Sequence, residues 1–194
     1  MKRMVVSLFV FTAFFGSIVQ AIAATVGYNT QATFLAAAGT APRITLRTDL
    51  LNFTADAGPF TQIARTGYRV ITATPILIKQ NFSEVCAGGA RPTTGCISVG
   101  SLPTAGVTFT FATPQRAFGL LVTKASIANI ARLTFTVNGR PLAIRSNFAR
   151  SAWSPAIYIG FFGVIDRTRP FTSVRIAPPA AGNQIGFDNV QIGR

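Results

Sequence analysis

Short segments in which apolar and polar residues alternate recur through the second half of this 194-residue chain. Residues 107–111, 133–137 and 171–176 alternate with a period of two, which places every second side chain on one face of a sheet. Such segments return about every 10 to 14 residues with turn-forming residues between them, a spacing typical of antiparallel sandwiches rather than βαβ units. The pattern predicts an all-β fold, and more specifically a jelly-roll-like antiparallel β-sandwich.

Other segments of the second half fit the same fold. Residues 117–123 and 158–165 are more continuously apolar and predict further strands, residues 184–192 predict the last strand, and Pro114 is expected to end the strand that begins at residue 107. Asn138-Gly139 lies between two such segments, and this dipeptide favours positive φ at both turn positions. We therefore expect a two-residue type I′ hairpin there.

The first half carries one helix signal and weaker strand signals. Thr30 is a suitable N-cap, residues 31–38 contain strong helix formers, and Gly39 is a stop signal, so a short N-terminal helix is predicted. Residues 43–47, 68–72 and 76–79 predict strands, whereas residues 52–65 mix Gly, Pro, Asp and Phe and predict a loop with short edge strands.

The amino-terminal segment has the composition of a secretory signal peptide. Lys2 and Arg3 precede an almost unbroken apolar run, residues 4–19, and small residues follow up to Ala24. An uncleaved anchor is the alternative, but the run has about 16 residues against the roughly 20 that span a bilayer. We expect this segment to be removed, with Ala24 or Thr25 as the new first residue, and we assign residues 1–24 to the signal peptide. Residues 25–194 then form one exported domain without a transmembrane anchor, in the periplasm, at the cell surface or in the medium.

The charge of the chain is strongly positive. It has 18 Lys and Arg against 5 Asp and Glu, and removing Lys2 and Arg3 leaves a net charge of about +11. The basic residues are scattered, which indicates a folded positive surface that attracts polyanions such as acidic polysaccharide. Nucleic acid is not expected to be the partner of an exported protein, and the alternative is that the charge serves solubility alone. One candidate anion-binding patch near the predicted hairpin consists of Arg132, Arg140, Arg145 and Arg150.

Catalysis is not expected. The chain contains no histidine, so Ser-His-Asp and Cys-His sites and imidazole-ligated zinc are excluded. A secreted hydrolase using two carboxylates is the remaining alternative, yet the spacing of the acids pairs none of them. The five acids are Asp49, Asp56, Glu84, Asp166 and Asp188.

The two cysteines, Cys86 and Cys96, are close in sequence and flank a segment rich in turn residues. In an exported chain, such a pair predicts a structural disulfide, whereas a reactive dithiol is more typically spaced C-x-x-C.

Aromatic residues raise the separate possibility of sugar binding, because an exposed Trp offers a flat face to a sugar ring. Trp153 lies in a loop-like segment, with Tyr28 and Tyr68 as possible helpers, and the alternative is that this Trp anchors the core.

Several segments resemble those of exosortase-sorted (PEP-CTERM-type) bacterial surface proteins. Residues 106–114 with 116–120 (GVTFTFATP, RAFGL) resemble their "FTF…P…AFGF" strand pair, and residues 161–165 with 170–174 (FFGVI, PFTSV) resemble "FFGV…PFTSV". Residues 185–190 (IGFDNV) resemble "FGIDNV", and residues 29–39 resemble the N-terminal "FLAAL" helix. The chain departs from that pattern in ending at Arg194 directly after the last predicted strand, so sorting by exosortase is not implied.

The resemblance implies a jelly-roll-like β-sandwich similar to carbohydrate-binding modules. It also implies that structural calcium is possible, because similar sandwich modules bind it between the N-terminal region and the last strand; here Asp49, Asp188 and Asn189 are the candidate ligands. No other cofactor is expected. We predict a secreted, non-catalytic surface or matrix protein that binds glycan or another polyanion. A structural or adhesive matrix subunit without a small ligand is the alternative, and the oligomeric state is left open.

Overall fold

The computed structural model describes residues 25–51, 53, 57–79, 96–102, 104–124, 133–144, 147–150, 158–178 and 183–194. Within these ranges the chain forms mostly antiparallel β-structure with one short helix. The elements are β1 (Val26–Tyr28), α1 (Gln31–Gly39), β2 (Leu46–Asp49), β3 (Ala57–Arg65), β4 (Tyr68–Lys79), β5 (Cys96–Leu102), β6 (Val107–Gln115), β7 (Ala117–Lys124), β8 (Thr134–Val137), β9 (Arg140–Leu142), β10 (Phe148–Arg150), β11 (Tyr158–Ile165), β12 (Phe171–Ala177) and β13 (Asn183–Gly193).

The helix forms where the sequence predicts it. The Thr30 hydroxyl accepts a hydrogen bond from the Thr33 N–H, as an N-cap should, and the helix ends at Gly39. The guanidinium of Arg167 donates to the carbonyl of Ala37 in the last turn and to the carbonyl of Thr40, the C-cap residue. The Ala37 carbonyl also accepts from the N–H and the hydroxyl of Thr40, so Arg167 adds a cation to a capped helix end whose negative dipole it complements, and it ties the helix to the turn that follows β11.

The hairpin between β8 and β9 is also confirmed. Asn138 and Gly139 have φ angles of 46° and 75°, the positive values that a type I′ turn requires at both central residues. The Asn138 side-chain oxygen accepts hydrogen bonds from the N–H groups of Thr172 and Ser173 at 2.9 and 3.1 Å. This turn is therefore fixed to the start of β12.

Several strands run further than the sequence predicts. Residues 52–65, predicted as a loop with short edge strands, do contain an edge strand, but β3 is longer than predicted, with nine residues paired with β4. Pro75 does not interrupt β4. This strand pairs with β6 before the proline and with β5 after the proline, so Pro75 lies where β4 changes its partner strand. Pro114 lies where the register between β6 and β12 shifts, so its missing N–H removes no ladder bond there.

The strands form one continuous sheet that is nearly closed and barrel-like, and it does not clearly divide into the two sheets of a jelly roll. Its hydrogen-bonded order is β1-β11-β7-β13-β5-β4-β6-β12-β8-β9, with β10 also on β11, β2 on β13 and β3 on β4. The two ends of this path, β1 and β9, approach through side chains. A Cβ placed at Gly27 would collide with Ile144 and lie 3.5 Å from Leu142. We call the gap between β1 and β9 the seam.

Phenylalanine rings fill the interior of the sheet. Phe109 of β6 contacts Phe118 of β7 and Phe187 of β13, with centroids 5.0 and 5.6 Å apart. Phe135 of β8 stacks on Phe162 of β11 at 3.8 Å. Strands distant along the sheet thus meet through their inward-facing aromatic residues, and the alternation seen in the sequence corresponds to this buried face.

Helix α1 covers a second, smaller apolar cluster on the outer face of β7 and β11. Phe34 is fully buried and packs against Phe161 with centroids 5.3 Å apart. Gly119 and Gly163 are opposite each other across the two strands, and both lie beneath the Phe34 and Phe161 rings. Because neither residue has a Cβ, the outer face of the sheet is flat where the two rings and the helix pack on it.

Candidate functional site

A cleft of about 220 Å³ lies at one end of the seam. It forms because β1 and β9 approach each other without a ladder between them in the described chain, so polar groups from three chain segments converge there. The residues lining this seam cleft are Thr25, Val137, Asn138, Arg140, Pro141, Leu142, Asp166, Arg169 and Phe171.

Asp166 forms the floor of the seam cleft at the end of β11 and is 4% exposed. One carboxylate oxygen accepts from the Thr25 hydroxyl at 2.5 Å, and the other accepts from the N–H groups of Thr168 and Arg169 at 3.1 and 2.7 Å. Burial by itself raises the pKa of Asp166, but these hydrogen bonds outweigh it and hold the pKa below its ordinary value. The carboxylate is therefore ionised and surrounded by neutral donors.

Two guanidinium groups line the same cleft, those of Arg140 and Arg169. Both residues are exposed, and neither side chain makes an ion pair or hydrogen bond to the part of the chain that the structure describes. Arg140 follows directly after the hairpin turn that Asn138 fixes, and Arg169 follows the turn that Asp166 fixes. Both cations thus extend from rigid turns into solvent.

This arrangement is suited to binding an anion. Guanidinium groups present several N–H donors in a planar fork that matches carboxylate and sulfate oxygens. The cleft volume is below the roughly 300–1,000 Å³ of small-molecule sites, so it accommodates one charged group of a longer molecule. Asp166 is the one acid in its lining, so the lining lacks the two facing carboxylates of a glycosidase.

A second polar cluster joins β2, β3 and β4. Arg65 makes a two-pronged ion pair with Asp49, at 2.6 and 2.9 Å, and the Tyr68 hydroxyl donates to the same carboxylate at 3.0 Å. Burial alone raises the pKa of Asp49, but the bonds from Arg65, from the Leu51 N–H and from Tyr68 lower it overall. Burial and the adjacent carboxylate raise the pKa of Tyr68, which keeps its hydroxyl protonated as a donor.

This cluster bears on the calcium hypothesis. Asp49 does lie beside the last strand, opposite Val190, close to Asp188 and Asn189 along the chain. Its oxygens are occupied by Arg65, Tyr68 and Leu51, however. Asp188 is 3% exposed and accepts from the Asn189 N–H, and the two residues form a bulge with φ of 50° at Asn189. Among the described residues, no group of three or more Asp, Glu, Cys or His side chains could hold a metal.

The predicted sugar-binding aromatics do not assemble in the described chain. Tyr68 is 3% exposed and points its hydroxyl at Asp49, so it offers no ring face to a ligand and that prediction is wrong. Tyr28 is half-buried and packs edge-on against Phe34 below the helix. Trp153 lies outside the described residues, and its role stays a prediction.

The structure describes two of the four arginines in the predicted patch, Arg140 and Arg150, because Arg132 and Arg145 lie outside the described residues. Arg140 lines the seam cleft, whereas Arg150 lies on β10, donates to the Tyr158 hydroxyl at 3.3 Å and is absent from the cleft lining. The structure instead brings Arg140 together with Arg169, which the sequence reasoning missed. The only available signal was that Arg169 directly follows Asp166-Arg-Thr, a turn-like segment.

Cys96 is fully buried at the start of β5 and is not a free thiol. Cys86 lies outside the described residues, so its pairing with Cys96 stays a prediction, as does the removal of residues 1–24. No helix in the described part of the chain has the length and apolar character needed to cross a membrane.

Neither the protein-family models nor the curated proteins compared with this sequence match it. The resemblance to exosortase-sorted surface proteins consequently enters below as a proposal.

Proposed function

We propose that this protein is an exported, non-catalytic module that binds acidic polysaccharide through the seam cleft. The observation that carries the proposal is the presence of two exposed guanidinium groups, Arg140 and Arg169, in one cleft and without partners in the described chain. Arg65 and Arg167, which stabilise the fold, donate hydrogen bonds to acceptors within the protein. The seam pair is left available to a ligand.

Charge across the whole protein supports the same proposal. Removing residues 1–24 leaves 16 basic and 5 acidic residues, so the surface attracts polyanions over distances of about 10 Å at 0.1 M salt. Attraction of this kind brings a uronate- or sulfate-bearing polymer to the surface without selecting a binding position. The seam cleft then supplies the position at which one carboxylate or sulfate group is held by directed hydrogen bonds.

The test compares two double variants that remove equal charge. Arg140→Gln/Arg169→Gln empties the seam cleft of cations, and Arg43→Gln/Arg69→Gln removes two exposed arginines elsewhere. Binding to immobilised polygalacturonate, with neutral dextran as the control polymer, is measured at about 0.1 M and about 1 M salt. The seam variant should bind polygalacturonate about tenfold or more weakly at the lower salt, the equivalent of roughly 1.4 kcal/mol, while the matched control changes much less.

Equal weakening by both double variants would mean that the positive surface binds without a site and would overturn the seam assignment. Binding by the wild type that is as tight at the higher salt, or as tight to dextran, would overturn the electrostatic proposal altogether. Because all four arginines are exposed, neither double variant is expected to unfold the domain, and circular dichroism checks this.

Export and family membership are part of this proposal. The signal-like residues 1–24 and the predicted Cys86–Cys96 disulfide support a periplasmic, cell-surface or extracellular location. The segments that resemble exosortase-sorted surface proteins fall on β6, β7, β11, β12 and β13, the strands that form most of the core. The inward-facing Phe residues of β6 and β8 against β7 and β11 support describing the sheet as a flattened, jelly-roll-like sandwich.

An assembling matrix subunit is the second candidate, and β3 is the observation that favours it. In the described chain β3 pairs with β4 alone, and Phe60 on it is 39% exposed. Two register shifts and Pro59 interrupt this edge, features that discourage edge-to-edge pairing. Sedimentation at rising protein concentration discriminates the two candidates: self-association abolished by Phe60→Lys would favour assembly.

A further inference from the structure

The backbone nitrogen of Thr25 lies next to a buried carboxylate that has no cationic partner in the described chain. The Thr25 hydroxyl is 2.5 Å from Asp166, and the backbone nitrogen of Thr25 is three bonds from that hydroxyl, which places it within about 6 Å of the carboxylate. Asp166 is 4% exposed and accepts from neutral donors in the described chain. A buried carboxylate without a cation is costly, and an opposite charge at this range favours its ionised form.

We infer that the domain is completed when residues 1–24 are removed, because the freed α-ammonium of Thr25 becomes the ion-pair partner of Asp166. This inference rests on the export step of the proposed function. A signal peptidase adds one water across the Ala24–Thr25 amide. Ala24 keeps the oxygen as a carboxylate, and the Thr25 nitrogen becomes an amine that is protonated at neutral pH.

The precursor and the processed protein therefore differ in charge at this position. In the precursor the Thr25 nitrogen belongs to a neutral amide, so Asp166 has its hydroxyl and backbone donors only. After cleavage a cation is added among the charged groups that face the cleft, which are Asp166 at the end of β11, Arg140 on β9 and Arg169 in the following turn. The same inference selects Thr25 over Ala24 as the first residue, since an extra residue moves the amine about 3.3–3.6 Å farther along the chain.

The pairing has a defined pH dependence. A paired α-ammonium has a higher pKa in the folded than in the unfolded protein, where the value is about 7.7–8.0. Its contribution to stability is thus fully present below about pH 7.7 and is lost as the pH rises through the folded-state pKa. Arg140 and Arg169 also face the cleft and oppose the pairing, so a raised pKa of the α-amine would show that Asp166 has the larger effect on it.

The experiment uses the full chain, exported from a bacterial host and purified after processing, with its first residue identified by mass spectrometry. Three forms are compared: the wild type, Asp166→Asn, and a form with one Gly inserted between Ala24 and Thr25. The Asn side chain keeps an oxygen acceptor for the turn at Thr168 and Arg169 while removing the charge. The α-amine is titrated by NMR, and stability is followed by urea unfolding from about pH 6 to pH 10.

We expect Thr25 to be the first residue and its pKa to be raised by about one unit, a tenfold change in the protonation equilibrium. Both Asp166→Asn and the Gly insertion should return the pKa to about 7.7–8.0 and remove the loss of stability between pH 8 and 10. An unshifted pKa in the wild type, or a first residue other than Thr25, overturns the inference. If Asp166→Asn fails to fold, the wild type and the insertion decide the question. Binding to polygalacturonate is measured separately, so loss of that binding with an intact titration contradicts the proposed function alone.

Discussion

Replacing Gly163 by Ala tests how the helix is held against the sheet. An added Cβ at Gly163 would lie 2.6 Å from Cδ2 of Phe34 and 2.7 Å from Cε1 of Phe161, against the roughly 3.5–4.0 Å at which carbon atoms pack. At least one ring must therefore retreat by about 1 Å. Gly163 is buried in β11 opposite Gly119, and Phe34 is fully buried, so the surroundings leave little room for that movement.

The expected cost follows from this overlap. Overpacking of a well-filled core by one methyl group destabilises by about 1–3 kcal/mol. In a domain of this size that corresponds to a fall in Tm of about 2–12 °C. Gly39→Ala makes the same chemical change at the end of α1, where a Cβ would meet nothing within 4 Å, and it should be neutral or slightly stabilising.

A double-mutant cycle identifies the cause. Phe34→Ala removes the Cγ and Cδ2 atoms that the new methyl group strikes, so Gly163→Ala/Phe34→Ala should cost measurably less than the two single changes added together. Urea unfolding followed by circular dichroism gives the free energy of unfolding of each form, with Gly39→Ala as the matched control. Strict additivity would refute the proposed collision, and a Gly163→Ala protein as stable as the wild type would refute the tight packing itself.

Three further outcomes are expected. Burial alone raises the pKa of Asp49, but hydrogen bonds from Arg65 and other donors lower it overall, so its contribution to stability is present above about pH 3.9 and is lost as the pH falls through the pKa of the folded protein. Asp49→Asn should therefore be less stable than wild type near neutrality. In urea titrations at lower pH, the difference in free energy of unfolding between the two proteins should become smaller. Gln191 is 2% exposed and its side-chain oxygen has no hydrogen-bond partner in the described structure, so Gln191→Met should raise the free energy of unfolding by about 1 kcal/mol, and a decrease would contradict this reading. If Cys86 and Cys96 are bridged, reduction should lower stability by about 2–3 kcal/mol and a thiol assay should detect no reactive cysteine beforehand.

Much of the secondary structure could be predicted because it depends on local pattern. Each of three elements depends on residues that are adjacent in the sequence: the helix start on the capping residue Thr30, the turn on the backbone sterics of Asn138-Gly139, and the strand Tyr158–Ile165 on its apolar content. The length of β3 is underestimated from the sequence because Gly58 and Pro59 are typical of loops. The prolines are accommodated only because neighbouring strands shift register or change partner beside them, and that depends on distant segments.

The candidate site was less predictable for the same reason. A period of two shows which side chains share a face, but it does not show which strands become neighbours. The cleft exists because β1 and β9, more than a hundred residues apart, form the two ends of the same sheet. Arg140 was selected for its place near a hairpin, whereas Arg169 and Thr25 become relevant only once the sheet curves round to bring them together.

The position of β13 has a consequence for how the chain is made. This strand is the last to be synthesised of those described, yet it pairs with β2, β5 and β7 and lies inside the sheet rather than at its margin. Earlier segments can collapse as they emerge, but they cannot complete the sheet until residues 183–193 have left the ribosome. The sheet therefore reaches its final shape only after its last described strand has been made.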